Sequence, residues 1–159
     1  MRSCFFYYKD SMKKKGMMEM EPNNKISVLY LETGQRAEIV VIEDTLEAMQ
    51  NLVKGPIEEY MPFEDDVAIV CNEEGKMTRL PWNRGIKDED GQLMDIIAGD
   101  FFICYAPIES EKFLSLPSDL EKKYKEKFEL PEQVFQTENG LKTIPYEPKP
   151  RDKELGCER

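Results

Sequence analysis

The chain has 159 residues, of which 40% are hydrophobic and 34% charged, with 32 acidic against 22 basic side chains and a formal net charge of −10. That length suits one domain with extensions, and no apolar run approaches the roughly 18–20 residues that a membrane span needs. An acidic body repels a phosphate backbone, which argues against direct nucleic-acid binding, and the lack of any histidine removes Ser-His-Asp and Cys-His chemistry and the commonest metal ligand.

In chain order, residues 1–24 carry 5 basic and 3 acidic side chains and read as a flexible N-terminal extension. Phe5-Phe6-Tyr7-Tyr8 is too short for the apolar region of a signal peptide. Met12, Met17, Met18 and Met20 are each candidate alternative starts. Residues 25–32 alternate in the manner of a strand, Thr33-Gly34 is a turn signal, and residues 35–42 follow as a second strand of a hairpin. Asp44 and Glu47 have capping-box spacing. Leu46, Met49, Leu52 and Val53 share a helical face. Gly55 suits a left-handed C-terminal cap, and Pro56 prevents continuation.

Residues 57–63 read as a third strand, with Pro62 marking an edge. The acidic turn Glu64-Asp65-Asp66 leads to a strand over 67–71. A hairpin at Glu73-Glu74-Gly75 would bring in a fifth strand over 76–80. Residues 81–99 read as an irregular loop with a polar turn at Asp88-Glu89-Asp90-Gly91, after which a last apolar strand begins at Phe101. Residues 107–113 form a linker. A helix capped by Ser115 or Ser118 runs to about Phe128, its apolar edge made by Leu116, Leu120, Tyr124 and Phe128. Residues 131–159, with Pro131, Pro145, Pro148 and Pro150, read as a loosely ordered tail. The expected fold is therefore α+β over residues 25–130: a mixed or mainly antiparallel sheet of five to six strands, one helix packed on a face and a C-terminal helix at an edge. The acidic excess sits inside it, since residues 25–106 hold 17 acidic and 7 basic side chains.

Several stretches of this chain resemble a known family. They are Ile42–Asp44-x-Leu46-Glu47, then Pro62-Phe63-Glu64-Asp65-Asp66-Val67-Ala68-Ile69-Val70-Cys71-Asn72-Glu73-Glu74-Gly75-Lys76, then Leu80-Pro81-Trp82-Asn83-Arg84, and finally Asp95-Ile96-Ile97-Ala98-Gly99-Asp100-Phe101-Phe102. Together they resemble domain-of-unknown-function family 3846, over about residues 26–128. The resemblance implies a small α+β domain of bacterial, phage and conjugative-element proteins. It also implies a cytoplasmic accessory role, with an association with counter-defence. It implies no reaction.

Trp82, Asn83 and Arg84 are the candidate ligand-binding residues. An indole offers a stacking face, Asn83 can read an amide or base edge, and a guanidinium offers a bidentate fork to phosphate or carboxylate. The competing reading makes Trp82 a core cap and pairs Arg84 with Asp88, Asp90 or Asp95. The turns 64–66 and 88–90 would suit a hydrolase or divalent-metal site only if their carboxylates converge, and otherwise are solvated. Cys71 and Cys104 lie in strands and read as structural thiols. With Cys4 and Cys157 they show no zinc spacing. The function expected first is non-enzymatic: binding or sequestering a small anionic or nucleotide-like ligand, without cofactor or metal. The alternatives are an acidic inhibitor of a protein partner, acting as a DNA mimic, and a carboxylate-dependent phosphohydrolase. No membrane partner is expected, and an exposed sheet edge would permit a homo-oligomer.

Overall fold

The computed structural model describes residues 24–148. The expected extension before Asn24, the tail beyond Pro148, and Cys4 and Cys157 lie outside the described residues. Five strands form one antiparallel sheet in the order β2-β1-β7-β4-β3. They are β1 (Lys25–Leu31), β2 (Glu38–Glu43), β3 (Ile57–Tyr60), β4 (Val67–Asn72) and β7 (Phe101–Tyr105). The expected 25–42 hairpin is there, in the register Lys25↔Glu43 to Tyr30↔Glu38.

Both faces of the sheet are covered, which is why the inner strands read as unbroken apolar runs. On one face Val28, Ala68, Val70, Phe102 and Cys104 pack under Met49 and Val53 of α1 (Leu46–Val53). On the other, Leu29, Leu31, Ile69, Phe101 and Ile103 meet Ile86, Ile97, Tyr124 and Phe128. The last four come from β5 (Trp82–Lys87), from β6 (Leu93–Ala98), and from α2 (Ser118–Lys127) with the residue that follows it. The α+β expectation therefore holds.

Several details differ from the expectation. The cap of α1 is Thr45, whose Oγ1 accepts the Ala48 N–H at 3.0 Å; Asp44 instead pairs with Lys112 at 3.0 Å. The left-handed residue at the end of α1 is Lys54 (φ 63°), not Gly55. Gly55 is needed for room, because a Cβ there would stand 2.5 Å from Asn72 Nδ2, which caps the helix by donating to the Val53 and Lys54 carbonyls, each at 3.2 Å. The start of α2 has no side-chain cap; Ser115 Oγ accepts the Ser27 N–H instead.

Two larger corrections concern strands. Residues 76–80 form no strand but a series of tight turns, with Thr78 N–H donating to Glu74 O and Arg79 at φ 61°. Residues 82–98, expected as a loop, form the hairpin β5–β6. The segment expected as a loose tail also contains a hairpin, β8 (Glu132–Thr137) with β9 (Gly140–Pro145). It is tied to β5 by Glu132 Oε1, which accepts the Gly85 N–H at 2.9 Å.

Candidate functional site

The three residues singled out from the sequence separate. Trp82 stays 41% exposed, whereas Asn83 is buried and Arg84 is 0% exposed. The cause is local: the β5–β6 register slips between Trp82 and Arg84, and such a bulge breaks the alternation of sides, so consecutive residues point inward. Asn83 Nδ2 donates to the Leu31 and Gly99 carbonyls at 2.8 and 2.9 Å. Its Oδ1 accepts from Arg84 Nη1 at 2.7 Å. Arg84 Nε and Nη2 both donate to Phe128 O, at 3.1 and 3.0 Å, and Nη2 also reaches Gln35 O at 2.8 Å.

Arg84 thus pairs with none of Asp88, Asp90 or Asp95. Asp95 binds Lys76 at 2.7 Å, and Asp88 closes its own turn by accepting from the Asp90 and Gln92 amides. Burial pulls the Arg84 guanidinium down to about 10, although Glu132 opposes this. The guanidinium expected to be reachable beside the indole is instead sealed: Arg84 joins the end of α2 to the β1–β2 turn, and of the three residues Trp82 alone is exposed.

A cleft of about 420 Å³ opens elsewhere, between residues 62–65, the tip of the β5–β6 hairpin and α2. Both acidic turns noted in the sequence reach it, Glu64 and Asp65 from one side and Asp88, Glu89 and Asp90 from the other, with Lys87, Lys123 and Lys127. Phe63 and Tyr124 wall it, their ring centroids 5.2 Å apart. Asp65 is engaged: Lys123 Nζ and Tyr124 OH donate to it at 2.6 and 2.7 Å, and together they hold its carboxyl below the usual carboxylate range. Burial, with Asp65 second, pushes the Tyr124 phenol up. Lys127 Nζ lies 5.4 Å from the Phe63 ring centroid, a cation–π contact. Glu64, Glu89 and Asp90 remain exposed at the rim. Sequence reasoning found the two turns but missed Tyr124 and Lys127 as wall residues, because a contact between residues 65 and 124 leaves no local signal.

A second cleft, of about 380 Å³, is lined by Tyr60, Cys71 and Asn72 beside the Lys76–Asp95 pair. Burial pushes the Cys71 thiol up to about 12, so it stays protonated at neutral pH and is no nucleophile. Among the described residues no group of three or more Cys, Asp or Glu stands close enough to hold a metal ion. None of the described helices is long and apolar enough to cross a membrane.

Residues 26–129 match the family described as Domain of unknown function (DUF3846). The chain belongs to the DUF3846 family. No curated protein matches it, and no solved structure does. The match takes in the five-stranded sheet, both helices and the β5–β6 hairpin, hence every wall of the cleft beside Phe63 and Tyr124; β8–β9 of this DUF3846 protein lies beyond it.

Proposed function

We propose that this DUF3846 protein works by binding, without catalysis, and that it presents carboxylates to a basic protein partner. The observation that carries the reading is the meeting of two acidic turns, more than twenty residues apart in sequence, on one aromatic-walled cleft. Asp65 and Lys123 neutralise each other, and the remaining carboxylates outnumber Lys87 and Lys127. A phosphate would enter against that field, whereas a guanidinium or ammonium enters with it. The sealed position of Arg84 removes the main support for a small anionic or nucleotide-like ligand at residues 82–84.

Such a protein suits an accessory, anti-defence role in a phage or mobile element, in which a DNA mimic covers the basic surface of a nucleic-acid enzyme. Calorimetric titration with an oligo-arginine peptide, at low and high salt, tests the reading. Binding that weakens with salt, and that falls about tenfold in the Glu64→Gln, Glu89→Gln, Asp90→Asn triple variant, is expected. Failure of oligo-arginine to bind, with ATP binding in its place, would restore the small-ligand reading.

A further inference from the structure

We propose that the open edge of β2 takes up, as an added strand, an extended segment of a basic partner in which a short apolar run is bracketed by Lys or Arg. This rests on the reading of the protein as an acidic binding protein and names a second surface for the partner.

Among the described residues β2 ends the sheet and pairs only with β1. The direction of its backbone groups follows from its neighbour. Ser27 N–H donates to Ser115 Oγ at 2.8 Å and Ser27 C=O accepts from Leu116 N–H at 3.1 Å. Both groups of Ser27 therefore point away from β2. In an antiparallel ladder a residue sends both groups to one side, and facing residues alternate between bonded and unbonded pairs. Ser27 faces Val41, so this is an unbonded pair, and Val41 directs its N–H and C=O outward. By alternation Ile39 and Glu43 do the same. Glu43 C=O is taken by Thr45 N–H at 2.8 Å. Among the described residues, the outward groups of Ile39 and Val41 and the Glu43 N–H make no hydrogen bond.

The side chains state what would fit. Val40 and Ile42 pack toward α1, and Ile39 packs on the opposite face. Val41, on the same side as Ile39, is 63% exposed, which leaves room for a neighbour's apolar side chain. Glu38 and Glu43 stand exposed at the two ends. A second copy is a poor occupant. Antiparallel pairing about Val41, the register that uses all the outward residues, gathers Glu38 and Glu43 of both copies along one seam, and β2 has no basic side chain to offset these four exposed carboxylates. A strand with basic ends meets Glu38 and Glu43 with opposite charge, and its main chain supplies the missing bonds.

Hydrogen exchange of the full chain with two synthetic peptides, Lys-Val-Val-Val-Val-Lys and Glu-Val-Val-Val-Val-Glu, tests this. The lysine-ended peptide should slow exchange of the Ile39, Val41 and Glu43 amides by tenfold or more, roughly as a new ladder bond does, and the glutamate-ended peptide should not. In E38K/E43K the preference should reverse. V41P removes an outward N–H without touching the bonds to β1, and should abolish the effect while circular dichroism stays unchanged. Equal protection by both peptides, or by neither, overturns the proposal. So does protection of β2 without peptide that grows with protein concentration, which places a second copy there. Protection without peptide that vanishes when residues 2–9 are removed also overturns it, because Arg2-Ser3-Cys4-Phe5-Phe6-Tyr7-Tyr8-Lys9 has the same basic-apolar-basic pattern. Oligo-arginine binding that depends on Glu64, Glu89 and Asp90 while β2 stays unprotected sinks this edge alone. Loss of both sinks the wider reading too.

Discussion

Arg84 shows how a side chain chosen for its chemistry can be fixed by its surroundings. Its side chain is polar, charged and flanked by the only tryptophan, all of which mark a binding residue in a sequence. What decides its role is the Phe128 carbonyl, 44 residues away, and no pattern around residue 84 could reveal it. Arg84→Met should therefore destabilise the fold by about 3 kcal/mol or more, since the Phe128, Gln35 and Asn83 oxygens lose a buried donor. Urea titration measures this, and oligo-arginine affinity should not change; an affinity loss at unchanged stability would return Arg84 to the site. Cys71 and Cys104 make the opposite case, for the strand runs around them marked them correctly as buried thiols. With Cys4 and Cys157 replaced by Ser, the native protein should react with a thiol reagent at pH about 8 far more slowly than the unfolded chain. A thiol pushed up to about 12 holds almost no thiolate there. Rapid native labelling of Cys71 would contradict its burial.

Legibility at the level of elements followed the way each element buries itself. Residues 67–72 and 101–105 are covered on both faces, so their apolar runs announced them. β5 carries the polar Asn83 and Arg84 in its buried stretch and slips register twice, so neither alternation nor an apolar run survives to be read. β8 and β9 bury little besides Thr143, with Val134 half-covered, and the prolines around them suggested a tail. The start of α1 was displaced by one residue, because Asp44 and Thr45 are both capping residue types and distant contacts from Lys112 and Asn24 hold Asp44, leaving Thr45 to cap. Thr45→Ala should cost about 1 kcal/mol of stability. Gly55→Ala should cost more than that cap, because the new Cβ meets the Asn72 amide that holds two helix-end carbonyls. A thermal melt of both variants checks the order; a harmless Gly55→Ala would show that Asn72 can move aside.

For the whole molecule, the sheet is a single layer with a cover on each face, and charged contacts pin the covers down. Lys54 of the α1 cap reaches Asp100. Asp65 receives Lys123 and Tyr124 of α2. Glu129, just beyond α2, receives Arg36 and Lys125. Asp65 and Glu129 are held below the usual carboxylate range, in Glu129 against an opposing effect of burial. In Asp100 burial pushes the carboxyl up, but bonds from Lys54 and the Thr33 N–H outweigh it and the net shift is down. The sign for stability follows. The unfolded chain holds more protons than the folded one near the ordinary carboxylate pKa of about 4, so this stabilisation is complete above that pH and disappears as pH falls through the folded-state values. Urea midpoints should therefore drop steeply below about pH 4. Protonation of 32 carboxylates beside 22 cationic side chains also charges every variant positively, so the general repulsion nearly cancels in a comparison. Asp100 is the least exposed of the three carboxylates and its share should be the largest. Asp100→Asn should lower neutral-pH stability by on the order of 1 kcal/mol and flatten the acid limb. An acid limb identical to that of the parent protein would show that the contact between α1 and the sheet is held by packing alone.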